Sequence, residues 1–469
     1  MEATIKPDIF TATLLGEEPT NAVELIKDKR VKIRPWEELQ KEYDPKLHPV
    51  MDTAVYPDVA SEDGIERVSR VPFDYQRLAT KRLTEMITGI PVKRSYDTDG
   101  ERQEQVRETL ELIYQKNRID AVNVERVNLL FAGCEVFTLW YALPVENDLY
   151  GTHSLIKVRC KNYSPVLGHK LFPVFDETGD MVAMGIETAV KKGRKGEKGT
   201  LHTLDVYTAT HHLVYQNDGG RGVWELVTQE THNIGKIPGV YCSRPTPAWE
   251  DTSNLVYEME WALSRNGNYL RRNSKPVFYI ATEEGIDYGQ EKDERQEFRT
   301  ILQVPKGASL GYITWNQATD TLKLYIDELR KLFFTTLQIP DWSYEDMKNN
   351  AMSGEARKQL FIDAHLKVKD ESGRLLEFFD RETNVLKAFV EIILGAEYRK
   401  DIEAVTVETE ITPYILNDEA QQIRTLIEAN GNKPLISQRE SIELLGWSNN
   451  TADTLREINE ENNVQDLFS

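Results

Sequence analysis

Three cysteines in 469 residues, Cys134, Cys160 and Cys242, are too few for a disulfide framework, and none is spaced as a metal finger. Thiols this sparse fit a reducing compartment, where they serve as small apolar side chains. No stretch reaches the roughly 20 apolar residues that a membrane helix needs. The N-terminus, MEATIKPDIFTATLLGEEPT, lacks the basic n-region and apolar h-region of a secretory signal. These absences point to an intracellular chain, or one assembled from an intracellular pool, with no membrane partner. Basic residues are also short: 57 Lys and Arg against 77 Asp and Glu leave a formal charge of −20. Neutralising phosphates drives nucleic-acid coating, so this sign excludes a broad grip on DNA. Internal repeats and low-complexity tracts are missing too.

What is there describes a folded chain with a polar surface: 29% charged residues, 40% hydrophobic residues and a mean hydropathy of −0.51. The length suggests about two to four structural units. Residues 1–35 read as a polar arm with one short helix near Asn21–Lys29. Prolines 35, 45, 49 and 57 punctuate the next segment. A first firm helix is expected from Pro72 to Thr88, with Gly89 as its stop, and two more over 101–116 and 120–132. From Cys134 to Cys242 the texture changes. Runs such as CEVFTLWYAL, MVAMGIETAV and HTLDVYTATHHLVY, separated by DETGD, KKGRKGEKG and NDGGRG, predict an antiparallel meander.

Helical spacing returns over 251–273, where Leu255, Met259, Ala262, Leu263, Asn266 and Leu270 share a face and Asp251, Thr252 or Ser253 supplies a cap. A small α/β insert (276–320) separates it from a second rod with Leu322, Ile326, Leu329 and Phe333 in register. A loop, IPDWSYEDMKNNAM, comes next. It is about 14 residues long, more than the roughly two to eight of a bundle connection. A very long helix is then expected from Gly354 to Leu394, about 60 Å at 1.5 Å per residue. Its stripe is Val368, Leu375, Phe379, Leu386, Phe389 and Ile393, and a rod this long is expected to bury that stripe against a neighbouring copy. One strand (404–415) and a helical C-terminal part (418–460) with a capping box at Ser437-Gln438-Arg439-Glu440 complete the chain.

Catalytic patterns are not found. The eight histidines form no HExxH, and no GxSxG or CxxC occurs. KKGRKGEKGT has the wrong spacing for a phosphate loop and joins two strands, so it reads as a basic hairpin tip. No metal and no cofactor is expected. Arg271, Arg272 and Lys275 at the end of the first rod have two readings: cations pairing with a helix C-terminal dipole, or a positive ring repeated by symmetry. The 339–352 loop is either a connector packing Trp342 and Tyr344 or an element facing a channel.

The order of parts resembles the portal proteins of tailed bacteriophages, in the branch with siphovirus-type heads. The likeness covers about residues 40–460. It is carried by KEYDPKLHPVM (41–51), RVPFDYQRLATKRLTEMITGIPVKR (70–94), GKIPGVYCSRP (235–245), NNAMSGEARKQLF (349–361) and NKPLISQRESIELLGW (432–447). The family's Tyr-Tyr-x-Gly pattern is replaced here by Tyr43-Asp44-Pro45.

The resemblance implies an α+β, portal-like fold: an N-terminal arm (1–35), a mixed α/β wing (36–250, with the long helix and returning strand of 354–417), stem helices (251–275 and 321–338), a small α/β clip (276–320), a tunnel loop (339–353) and a helical crown (418–469). It implies a homo-oligomeric ring, typically a dodecamer, at one vertex of the virion capsid, assembled in the host cytoplasm. The ring conducts double-stranded DNA without sequence specificity. Its partners are the major capsid and scaffold proteins, the large terminase subunit and a head-completion adaptor. Tyr344, Met347, Lys348, Asn349 and Asn350 in the tunnel loop become the candidates for the DNA channel. Arg265, Arg271, Arg272 and Lys275 are the basic residues of the stem, and Lys306 is the clip residue. A different ring-forming head–tail adaptor is the first alternative. A metal-dependent DNA-processing enzyme is the second, and its mark would be a compact carboxylate cluster, which the sequence does not show.

Overall fold

The computed structural model describes residues 9–28, 31–61, 64–191, 200–219, 223–273, 277–281, 288–292, 298–302, 309–313, 319–341, 362–413 and 455–456. The chain divides into two units. The first comprises Met1–Asp341 and Asp363–Tyr414, and the second Trp342–Ile362 and Ile415–Ser469. All the described strands lie in the first unit. Helices and sheets are mixed there, and every strand pairing is antiparallel.

Two helices open the chain, α1 (Ile9–Gly16) and α2 (Pro19–Lys27). The sequence reading has one helix in a polar arm; the structure has two, with a buried face. The reason lies in the strands they cover. Strands β6 (His169–Phe175), β7 (Met181–Lys191), β8 (Thr200–Thr208), β9 (His211–Asp218) and β10 (Glu225–Thr231) form one five-stranded meander, which is only the middle of the one expected over 134–242. Successive residues of a strand face opposite sides. Ala183 therefore meets Leu14, Ala22, Val23 and Ile26 of the two helices, while its neighbour Met184 faces away. Gly185 returns to the helix side, where a Cβ would lie 2.6 Å from Ile26 Cγ2, so only glycine permits this approach. Lys27 closes the seam, with Nζ 2.9 Å from Glu187 Oε2 and 4.3 Å from the Trp224 ring centroid. Ile26→Ala is expected to cost about 2–5 kcal/mol locally. Faster amide exchange confined to α1 and α2 would report it.

The other face of the sheet packs on a three-stranded sheet of order β11-β4-β5, formed by β4 (Glu135–Leu143), β5 (Lys157–Tyr163) and β11 (Gly239–Ser243). Phe137 and Leu139 meet Leu171, Met184 and Ile186 there. Beside these sheets lie α3 (Trp36–Tyr43), α4 (Tyr75–Thr88), α5 (Glu101–Lys116) and α6 (Ile119–Gly133). Left-handed Arg118 turns α5 into α6, and left-handed Cys134 ends α6. A hairpin of β1 (Val59–Ser61) and β2 (Gly64–Glu66) precedes α4, and β3 (Lys93–Asp97) comes after it.

Helix α7 (Ser253–Asn273) packs on α8 (Thr319–Leu337). Between them, β12 (Val277–Ala281) pairs with β15 (Ser309–Ile313) and β13 (Tyr288–Lys292) with β14 (Phe298–Leu302). The expected α/β insert thus shows only strands among its described residues before α8. The long helix, α9, is described over Ile362–Leu394, and its expected start at 354–361 lies outside the described residues, as does the C-terminal capping box. Helix α10 (Arg399–Ala404) and β16 (Thr406–Glu410) come next, the latter paired with β3.

The long helix corrects one expectation. Val368, Leu375, Phe379, Leu386, Phe389 and Ile393 are all buried within the single chain. Ion pairs and hydrogen bonds hold it along its length: Arg244 to Glu371 at 2.8 Å, Arg126 to Glu382, and Lys236 Nζ to Asn384 Oδ1 at 2.6 Å. Its stripe is completed by this chain's own sheet and helices and needs no neighbouring copy.

Candidate functional site

The helix pair α7–α8 and the chain leaving α8 contain the described part of the expected stem and the start of the expected loop. Helix α7 is seated by a polar row. Phe73 N–H donates to Glu260 Oε1 at 2.7 Å, Val71 N–H to Ser264 Oγ at 2.9 Å, and Ser69 N–H to Asn268 Oδ1. The spacing explains the match. Four helical residues rise about 6.0 Å and two extended residues about 6.6 Å, so every second amide of 69–73 meets every fourth residue of α7. Gly267 lets the segment come close, because a Cβ there would lie 2.8 Å from Ser69 Oγ. Arg271 continues the row, with Nη1 3.1 Å from the Arg67 carbonyl. These contacts keep 67–73 extended. Helix α4 consequently starts at Tyr75, where the sequence alone suggests Pro72.

Glu260 is fully buried and also meets buried His48, with Oε1 2.6 Å from Nδ1. His48 Nε2 lies 2.8 Å from the Glu42 carbonyl oxygen. That oxygen only accepts, so Nε2 carries a hydrogen. Glu42 itself binds the start of α7. Its carboxylate accepts from Arg34, from Trp249 Nε1 at 2.8 Å and from Ser253 Oγ at 2.9 Å. Of the residues expected to cap α7, Asp251 is left-handed, Thr252 Oγ1 donates to the Trp249 carbonyl and Ser253 Oγ to Glu42.

Burial acts to raise the Glu42 carboxyl, and the bonds from Arg34, Trp249 and Ser253 outweigh it, so the group sits below its ordinary value. A carboxyl depressed in the folded state contributes stability above its unfolded value, about 4.3, and loses it as pH falls through the folded value. Glu42→Gln should therefore destabilise most at neutral pH. The gap to the natural chain should narrow in urea melts taken below about pH 4.3.

Helix α8 ends on left-handed Gln338, and Ile339 is buried. Pro340 and Asp341 are fixed from two helices. Arg82 of α4 donates to the Pro340 carbonyl at 2.8 Å, and Arg330 of α8 lies 2.7 Å from Asp341 Oδ2. Large apolar side chains on both helices stay bare: Leu270 is 53% exposed, Leu324 62% and Leu332 50%.

Of the residues singled out from the sequence, Arg265 is exposed on α7, its guanidinium 5.6 Å from the Trp261 ring, and Arg271 is exposed and bonded as above. Six helical residues turn about 240° from Arg265 to Arg271, so the two form no single row. Arg272 lies in α7, and its side chain is outside the described residues. Lys275, Lys306, Tyr344, Met347, Lys348, Asn349 and Asn350 also lie outside them. The sequence reading missed the seat of α7. Its signal was present as Glu260, Ser264 and Asn268, a polar row at steps of four on a helix whose other positions draw the eye as apolar. Among the described residues no group of three or more His, Cys, Asp or Glu is placed to hold a metal. No helix among them is long and apolar enough to cross a membrane.

Comparison with known proteins gives one family. The model described as phage portal protein, SPP1 Gp6-like, matches residues 24–466. Two solved structures resemble the chain at a distance. One is the virion of a native gene transfer agent particle, with 10% identity, TM-score 0.39, and 92% of this chain and 99% of the other covered. The second is the neck of an empty particle of that kind, with 12% identity, TM-score 0.39, and coverages of 83% and 98%. No curated protein matches.

Proposed function

The chain belongs to the SPP1 Gp6-like phage portal protein family, and from that premise we propose that it forms a closed ring, a dodecamer, at one vertex of a viral capsid. The single observation that carries the reading is the extent of the family match, 24–466, which leaves only the chain's ends outside. The ring would conduct double-stranded DNA during packaging and ejection, and would dock the large terminase subunit and later a head-completion adaptor. In this reading residues 36–250 with α9 form the wing, α7 and α8 the stem, 276–320 the clip, 339–353 the tunnel loop and 418–469 the crown.

Physical features agree with the role. The bare apolar positions of α7 and α8 suit lateral packing against copies of themselves. A wall of chains at −20 each repels DNA and keeps it mobile, while a few cations make weak, salt-sensitive contacts. The role is structural, and no observation favours the enzyme reading. Mass photometry of the purified chain tests the proposal: a particle of about twelve subunits supports it, and a stable monomer or dimer at assembly concentrations rejects it. Within the ring, Tyr344→Ala with Lys348→Ala is expected to leave assembly intact and to lower the amount of DNA packaged or retained. Loss of the ring with folded subunits would assign both residues to the subunit interface.

A further inference from the structure

A groove of about 920 Å³ lies between β11 and α9. Strand β11 is the edge of its sheet, with β4 on one side only. Trp140 N–H donates to the Pro238 carbonyl at 2.7 Å and Arg244 N–H to the Cys134 carbonyl at 2.8 Å. The even-numbered residues therefore face β4, and 239, 241 and 243 face the groove. Gly239 N–H is used by the Ile237 carbonyl, and the Ser243 carbonyl accepts from Arg374. Besides those two bonds, the outward backbone groups of 239, 241 and 243 face no neighbouring strand among the described residues. Unpaired edge groups of this kind are a template for another strand.

The groove is bounded at both ends. Arg374 reaches Ser243 at one, and Lys236 reaches Asn384 at the other. Ten helical residues separate those anchors on α9, about 15 Å, which admits four or five extended residues at about 3.3 Å each. Along the lining Arg381 pairs with Glu377 at 2.7 Å, and Lys236 and Arg374 stand against Asp180, a net excess of one positive charge on a chain of −20.

We propose that this slot takes an extended segment of a partner protein as an added strand on β11, with carboxylate side chains facing Lys236, Arg374 and Arg381. Main-chain hydrogen bonds to Tyr241 and Ser243 would give the affinity, and alternate side chains the specificity. Phe175, Met181 and Phe378 form the apolar part of the lining. The proposal stands apart from the ring reading, because the slot is built within one chain.

The test uses the full chain and a labelled, acetylated peptide alternating Glu and Val, followed by fluorescence anisotropy. Saturable binding is expected. Exchanging Glu for Lys should weaken it about tenfold or more, and so should Arg381→Gln on the rim. N-methylation of alternate peptide amides should weaken it in one register and spare the other, a control that leaves the protein untouched. No saturable binding, equal binding of the Lys peptide, or indifference to N-methylation in both registers would overturn the proposal. Displacement of the peptide by a single-stranded oligonucleotide at matched concentration would assign the slot to phosphate and overturn it equally.

Discussion

Glu382→Leu is expected to destabilise the first unit by about 3–5 kcal/mol, the range for removing one partner of a buried ion pair. The pair joins α6 to α9. Arg126 Nη1 and Nη2 meet the two carboxylate oxygens, and both side chains are almost wholly buried. Trp140 Nε1 also donates to Glu382 Oε1, at 3.0 Å, and Asn123 Oδ1 accepts from Arg126. The guanidinium is sandwiched near Phe378 and Phe379, at 4.7 and 5.1 Å from their ring centroids. Leucine leaves that cation in an apolar pocket with no counter-charge. The double variant Arg126→Met with Glu382→Leu removes the stranded cation and should recover most of the loss. It should not recover all of it, because the Trp140 N–H is then buried without an acceptor, worth about 1–3 kcal/mol. Urea melts, with amide exchange in α9 to identify the transition, distinguish the three chains. Equal stability of the single and double variants would show that the pair is not what holds α9.

Much of the fold was legible because its signals are local. The meander from β6 to β10 announces itself through alternation and through turn clusters such as Asp176–Asp180, where Asp176 Oδ1 accepts from the Thr178 and Asp180 amides. The stripe of α9 was legible as a stripe. Periodicity says that a face is covered and is silent about what covers it, so a neighbour was expected where the chain's own sheet and helices do the covering. The first helices are short, and although IFTATLLG and Ala22, Val23, Leu25 and Ile26 are apolar, the close seat of Ile26 depends on Gly185, far away in sequence. The candidate site was the least legible part. His48 and Glu260 are 212 residues apart, and no spacing rule connects them. Pro72 is a fair local start signal for α4, but the amides around it are committed to α7, and the tertiary bonds decide.

Glu260→Leu is expected to release α7 from its seat while leaving the sheets folded. Oε1 accepts from the Phe73 amide and lies 2.6 Å from His48 Nδ1, and leucine leaves both nitrogens buried and unpaired. A buried amide without an acceptor costs about 1–3 kcal/mol, and a lost hydrogen bond to a charged group about 1.5–3, so about 3–5 kcal/mol is at stake. The loss should be local. Exchange should quicken at the amides of Ser69, Val71 and Phe73 and along α7, and should stay unchanged in β6–β9. Glu260→Gln should fall between, since the amide oxygen keeps two lone pairs for the same two nitrogens but carries no charge. If the ring reading holds, the leucine variant should also fail to form the large particle. Lateral packing of α7 and α8 requires each pair to be presented at one fixed angle, and the polar row on residues 69–73 is what sets that angle. A ring that assembled normally from chains whose 67–73 amides exchange freely would separate the seat of α7 from assembly.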